Sequence, residues 1–192
     1  MIGGATWTIS GGRVLGPAPF LLAGIINVTP DSFYDGGRYG DLEAAVDRGR
    51  SLSEEGAHIL DVGGESTRPG AAEVPEAEEL SRVVPVIREL SRTAQQSIPG
   101  LRGNFPVLAV DTYKAKVAAE ALAAGASIVN DISACRFDPG LADVLAGERP
   151  GYVLMHSLGR PGAMQRDPRY GDVVDDILAL FEERLAFLTA RG

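Results

Sequence analysis

A recurring change of apolar period constrains this chain more than any other feature. Strand-length apolar runs occupy residues 20–26, 57–62, 106–110, 126–129 and 152–155, and longer segments with helical spacing separate them. Several of the short runs are apolar throughout, which is the pattern of parallel strands covered on both faces. Asp41 is placed to cap a first helix that buries Leu42, Ala45, Val46 and Leu52 and stops at Gly56. Residues 75–90 present Leu80, Val83, Val84 and Ile87 at core spacing, with Pro85 expected to kink this second helix or shift its start. Thr112 is placed to cap a third helix ending near Gly125, and residues 139–146 predict a short fourth. Asp172 is placed to cap a fifth, along which Val173, Ile177, Leu180, Phe181, Arg184 and Leu188 keep a period near 3.6. Five β-α units in succession predict right-handed crossovers between parallel strands. Ahead of them, residues 6–10 and 13–15 joined by Gly11-Gly12 predict a small hairpin. Residues 93–104 keep no period and predict a surface insertion.

A polar residue stands at the end of each apolar run. These are Asn27, Asp61 (followed by Gly63-Gly64-Glu65-Ser66-Thr67-Arg68), Asp111, Asn130-Asp131 and His156. In a parallel barrel those ends share one mouth, where active sites sit. In an open doubly wound sheet they flank a crevice instead. The competing reading makes them helix caps and turn formers, and it applies most directly to Thr112 and Asp131.

The formal net charge of −8 argues against a nucleic-acid or anionic-membrane partner, since neutralising phosphate takes Lys and Arg. No apolar run approaches the roughly 20 residues of a membrane span. Residues 1–13 lack the basic-then-apolar order of a secretory signal, so a cytoplasmic location is expected. Cys135 is the single cysteine; no intrachain disulfide can form, and a small buried filler is expected.

Three blocks carry a resemblance. The first is Gly24-Ile25-Ile26-Asn27-Val28-Thr29-Pro30-Asp31-Ser32-Phe33, continuing to Asp35-Gly36-Gly37. The second is Leu60-Asp61-Val62-Gly63-Gly64-Glu65-Ser66-Thr67-Arg68-Pro69-Gly70. The third joins Val110-Asp111-Thr112 to Ile128-Val129-Asn130-Asp131-Ile132-Ser133, and a softer fourth runs from Met155-His156 through Met164-Gln165 to Tyr170. From about Phe20 onward the chain resembles the N-terminal part of the dihydropteroate synthases. That resemblance implies a TIM (β/α)8 barrel of which about the first five β-α units are present. It also implies condensation of 6-hydroxymethyl-7,8-dihydropterin pyrophosphate with p-aminobenzoate, giving 7,8-dihydropteroate and pyrophosphate.

The resemblance also implies residue roles. Asn27 would orient a Mg²⁺ that meets the pyrophosphate, Thr67 would hydrogen-bond the pyrophosphate, and Arg68 would supply charge there or line the p-aminobenzoate side. Asp111 and Asn130 would hold the polar edge of the pterin, with Ile132 and Met155 packing on its faces. The residues fit such roles: a carboxylate accepts two donors, an amide both gives and takes, and an amide oxygen suits Mg²⁺. Loss of pyrophosphate leaves positive charge on the pterin methylene, which Asp111, with Asp35 as a second candidate, would stabilise. Segments 29–37 and 66–70 are expected to be mobile loops that build the p-aminobenzoate pocket, with Phe33 and Pro69 as apolar walls.

A complete barrel takes about 250 residues. Residues 1–192 are therefore expected to be one barrel domain, incomplete at its C-terminal side, weak in pterin binding and negligible in turnover when isolated. A homodimer is implied for the full-length protein. The alternatives are a pterin-binding methyltransferase domain, which has no need of the loops in the first two blocks, and a non-catalytic homologue. Arg136-Phe137-Asp138-Pro139-Gly140 reads as a loop and helix start, Gly159-Arg160-Pro161-Gly162 as a turn, and His58 as structural; His156 has no assigned chemistry.

Overall fold

The computed structural model describes residues 6–17, 19–29, 37–66, 68, 70–95 and 106–192, with the backbone alone at 37–41 and 95. Strands β1 (Trp7–Thr8) and β2 (Val14–Leu15) pair antiparallel. Gly11 and Gly12 turn between them, both at φ 71°, which a side chain would strain. This is the expected hairpin. Five parallel strands follow: β3 (Ala23–Asn27), β4 (Ile59–Gly63), β5 (Val107–Asp111), β6 (Ile128–Asp131) and β7 (Gly151–Leu154). The connecting helices are α1 (Gly37–Glu54), α2 (Glu76–Gln95), α3 (Ala115–Ala124) and α4 (Leu141–Glu148), and α5 (Val173–Thr189) follows β7.

Sheet order separates the two architectures left open above. The strands lie in sequence order, β3-β4-β5-β6-β7, with no reversal. A doubly wound sheet needs a switch point and helices on both faces. Here Ile26, Leu60, Val62, Leu108, Val110 and Val129 all enter one core with buried residues of α1 to α4. The helices therefore cover a single face, as in the TIM-barrel arrangement.

The other face is the concave one, and it is only partly filled. Ile9 of the hairpin closes its lower part against Val107, Ala109 and Ile128, with Trp7, Leu15 and Ile59 around them. Burial on both faces is thus true of β5, whose apolar residues are all buried. It is not true of β3 or β7, where Ile25 is 63% and Val153 41% exposed on the concave side. The hairpin is too small to reach those outer strands.

Two of the expected helix starts, and the course of a third helix, need correction. Helix α1 begins at Gly37, four residues ahead of Asp41, which lies inside the helix. Helix α2 starts at Glu76 and runs through Pro85 without interruption, ending at Gln95 inside the expected insertion; residues 96–105 lie outside the described set. Thr112 does not cap α3, because the N-cap position falls on Lys114. Its hydroxyl accepts the Lys114 N–H at 3.2 Å, and the first helical amide, Ala115 N–H, donates instead to Asp138 Oδ2 at 2.7 Å. Asp138 thus caps α3 from the loop after β6, which gives the Arg136–Gly140 stretch a structural purpose. Asp172 is a true N-cap: its carboxylate accepts from Val174 and Asp175.

His58 and Cys135 behave as expected. His58 Nδ1 accepts the Leu22 N–H at 3.0 Å, and Leu22 O accepts the His58 N–H in return. Cys135 is buried, its thiol lies 3.5 Å from the Tyr152 hydroxyl, and burial pushes its pKa up to about 11. Among the described residues no helix is long and apolar enough to cross a membrane.

Gly125 ends α3 at φ 119°, and a Cβ there would stand 2.7 Å from Ser91 Cβ. Gly56 ends α1 at φ 99° with open space around it. Gly125→Ala should therefore cost about 2–3 kcal/mol and Gly56→Ala about 1 kcal/mol in urea unfolding, because only the first adds overpacking to backbone strain. Equal losses would contradict this packing.

Candidate active site at the mouth of the sheet

The site follows from strand register. Asn27 pairs with Gly63, Gly63 with Asp111, Asp111 with Asn130, and Asn130 with Val153. Side chains alternate between faces along a strand, so these five positions form one row on the concave side. One step toward the strand starts, Ile25, Asp61, Ala109, Ile128 and Gly151 form the next row. The polar members of both rows are Asn27, Asp111, Asn130 and Asp61.

Alternation also separates the Asn130-Asp131 pair. Asn130 turns inward, where its Nδ2 donates to Asp61 Oδ2 at 2.9 Å. Asp131 turns outward and is fully buried. It accepts the N–H of Ser133 at 2.7 Å, the N–H of Cys135 at 2.6 Å and the Tyr152 hydroxyl at 2.9 Å. Those bonds hold a turn in which Ala134 and Cys135 take positive φ. The turn-forming reading is right for Asp131 and wrong for its neighbour.

Two carboxylates lie close together on the concave face with little compensation. Asp61 Oδ1 and Asp111 Oδ1 are buried and have no hydrogen-bond partner among the described residues. Burial raises the pKa of Asp111 to about 8, with Asp61, Glu79, Asp131 and Glu65 adding repulsion. Burial also raises Asp61, against the lowering effect of its bond from Asn130. Unpaired buried acceptors call for donors. Gly63 lies beside this pair, where a Cβ would be in van der Waals contact with the Asp111 side chain, 3.5 Å from its Oδ2.

The other expected residues distribute as follows. Asn27 is exposed at the end of β3, Ile132 is buried just after β6, and Met155 is 38% exposed just after β7. Arg68 is exposed on the loop between β4 and α2. Asp35, Phe33, Thr67 and Pro69 lie outside the described residues. His156 packs its ring against Tyr170 at 5.8 Å. Asp61 is the residue missing from the expected substrate-binding set. A carboxylate in the middle of the apolar run Ile59-Leu60-Asp61-Val62 was the available signal, since such a group is seldom buried without purpose. Among the described residues no group of three or more His, Cys, Asp or Glu is arranged to hold a metal ion. A single exposed amide such as Asn27 still fits a mostly hydrated Mg²⁺.

Together the fold and the site define a barrel-type α/β protein whose concave mouth can take a flat ligand with a donor-rich edge. The chain belongs to the pterin binding enzyme family, whose model matches residues 23–192. It is 45% identical over 172 residues to the dihydropteroate synthase of Bacillus subtilis, an alignment covering 90% of this chain and 54% of that one. Among solved structures it is similar to the Yersinia pestis dihydropteroate synthase with a sulfonamide drug complex, with a TM-score of 0.83 and 40% identity over 98% of this chain and 64% of that one. The Xanthomonas albilineans dihydropteroate synthase with 4-aminobenzoic acid gives a TM-score of 0.82 and 43% identity over 97% and 63%. The chain spans about half the length of the curated relatives it matches.

The carboxylate pair yields a pH prediction. The folded-state pKa of Asp111 lies above its unfolded value, so the folded state holds the extra proton between about pH 4 and pH 8. Asp111 therefore lowers stability progressively as pH rises through that window. Asp111→Asn should raise the melting temperature at pH 8.5 and leave it nearly unchanged at pH 4. A pH-independent shift would show that Asp111 is not held protonated.

Proposed function

We propose that this chain forms part of a dihydropteroate synthase and binds the pterin edge through Asp111 and Asn130. One observation carries the reading: two buried carboxylate oxygens without donors stand beside an amide that Asp61 holds in one orientation. With Nδ2 engaged by Asp61, Asn130 offers a ligand its Oδ1, a further acceptor. A pterin edge supplies the N–H donors that this acceptor set lacks. Met155, 38% exposed, is an apolar surface available to the ring, with Ile132 buried close to Asn130 in the chain.

The reaction joins the amine nitrogen of p-aminobenzoate to the pterin methylene carbon. The carbon–oxygen bond to pyrophosphate breaks, the leaving group keeps the electron pair, and the amine gives up a proton. Positive charge grows on the methylene and ring as that bond lengthens. Ionised Asp111 stabilises it through a short, water-poor path. Because Asp111 has a pKa of about 8 in the free protein, binding a cationic or donor-rich ring releases a proton. Arg68 supplies positive charge on the rim, suited to an anionic substrate group. Asn27 is the residue for Mg²⁺, which when bound neutralises charge on the leaving pyrophosphate. A cytoplasmic, homodimeric enzyme is the setting consistent with this reading.

The test is p-aminobenzoate-dependent pyrophosphate release by the polypeptide that the intact gene encodes. Asp111→Asn should lower kcat about 100-fold or more, the scale for removing one electrostatic stabiliser. Asn27→Ala should chiefly raise the Mg²⁺ concentration needed for half-maximal rate. Pyrophosphate release that ignores p-aminobenzoate, or wild-type kcat in the Asp111 variant, would overturn the assignment.

A further inference from the structure

We propose that Lys114 and Arg160 are positioning residues that clamp the neck of the loop carrying Ser66 and Arg68, and so set where that loop stands over the mouth. The inference rests on the reading of this loop as part of the substrate site.

Lys114 is 8% exposed, and its two acidic partners are Glu65 at 7% and Glu79 at 1%. Its Nζ donates to Glu65 Oε2 at 2.5 Å, to the Val74 carbonyl at 2.8 Å and to Glu79 Oε2. Glu65 is the last buried residue as the chain leaves β4, and Val74 lies just before α2. One ammonium thus bridges the outgoing and returning limbs of the same loop and ties both to α2. Burial works against the Lys114 charge, but Glu65 and Glu79 outweigh it and raise its pKa, so it stays an ammonium at neutral pH.

The outgoing limb has further fixings. The Tyr113 hydroxyl donates to the other Glu65 oxygen at 2.9 Å. Arg82 of α2 donates to the Gly64 carbonyl at 2.6 Å. Gly64 lies so close to α2 that a Cβ would stand 2.8 Å from Val83.

Arg160 acts on the returning limb. It pairs with Glu73 at 2.9 Å, and its guanidinium lies 5.3 Å from the Tyr113 ring centroid and 4.9 Å from that of Phe137. Its neighbour Pro161 accepts the Gly70 N–H at 2.9 Å. The loop after β7 therefore braces the loop after β4. The buried residues Lys114, Glu65 and Glu79 sit outside the row of Asp111 and Asn130; Glu65 and Glu79 act on that row only through their charge, which adds to the repulsion on Asp111.

A buried Lys with two Glu is seldom retained for stability alone, since apolar side chains of similar volume hold a core as well or better. Its specific property is direction: it fixes three segments at set distances. A loop with its neck closed has less freedom to lose when a ligand arrives.

Lys114→Met, Arg160→Met and the surface control Lys116→Met are to be compared in the polypeptide that the intact gene encodes. Lys116 forms an exposed pair with Glu76. Pterin affinity is read by fluorescence with 6-hydroxymethylpterin, which reports the Asp111–Asn130 floor without the loop's substrate groups. The KM for p-aminobenzoate and hydrogen exchange across residues 66–73 report the loop. Both clamp variants should raise that KM by about tenfold or more, because small misplacement of a substrate-positioning group is costly, while pterin affinity in Arg160→Met stays within about twofold. Exchange should quicken in 66–73 more than in the sheet strands, and Arg160→Lys should restore part of the KM. Should Lys114→Met fail to fold, the half-exposed Arg160 pair of variants still gives the answer. Unchanged KM and unchanged exchange in Arg160→Met, or a rise in exchange spread evenly over the sheet, overturns the clamp. If the wild type shows no p-aminobenzoate-dependent turnover, the proposed function fails, and exchange across 66–73 in the same variants still decides the clamp.

Discussion

Everything at this site depends on the register of the parallel sheet. A strand alternates its side chains between faces, so a slip of one residue would exchange the two layers. Val110 and Val129 would then face the concave side, while Asp111 and Asn130 would enter the helix-packed core that those valines fill. That core offers two carboxamide and carboxylate groups no water, so the slipped state carries a heavy desolvation penalty. The apolar half of each strand thus enforces the position of its polar half. The same alternation sends Asn130 and Asp131, adjacent in the chain, to opposite faces and opposite purposes.

The concave face shows the reverse economy. Asp61 and Asp111 each keep one buried oxygen without a donor among the described residues, and burial raises both pKa values. A core selected only for stability would have satisfied those oxygens or replaced them. On the proposed reading their arrangement is an acceptor surface held ready, with Asn130 held by Asp61 so that no amide rotation is needed on binding. Preorganisation of this kind carries its cost in the free protein and recovers it when donors arrive.

Much of this was legible in the sequence, but unevenly. Apolar period located all five strands, and the hairpin, the Asp172 cap, the His58 role and the Cys135 burial follow from local chemistry. Errors arose where a residue's partner is distant in the chain. Thr112 looks like a cap because it precedes a helix, yet the cap is Asp138, 23 residues on from Ala115. Asp41 looks like a cap because Asp favours that place, yet α1 starts upstream. Asp61 was visible as a strand carboxylate, but its link to Asn130 spans 69 positions and has no local sign. The Lys114 cluster escaped altogether, since Glu65 and Glu79 read locally as a loop residue and a helix-surface residue. Burial on both faces was inferred for the strands that are apolar throughout, and apolar content cannot tell how far a small hairpin reaches.

On the proposed reading, the floor and the rim of the mouth face opposite electrostatic tasks. The floor must favour positive charge on a ring, and Asp61 and Asp111 stand there, rigid within the sheet. The rim must receive an anion as it departs, and Arg68 and Asn27 stand there, exposed at strand ends and on a loop. Placing both charges on strands would bring Arg68 against Asp111, where the pair would neutralise each other and leave neither free for substrate. Separation by a loop avoids that, but a loose loop would lose orientation. Clamping its neck with a buried ammonium, one whose own partners are Glu65 and Glu79 rather than Asp111, keeps the cationic rim at a distance from the anionic floor. It thereby preserves the field between them that the bond-breaking step needs.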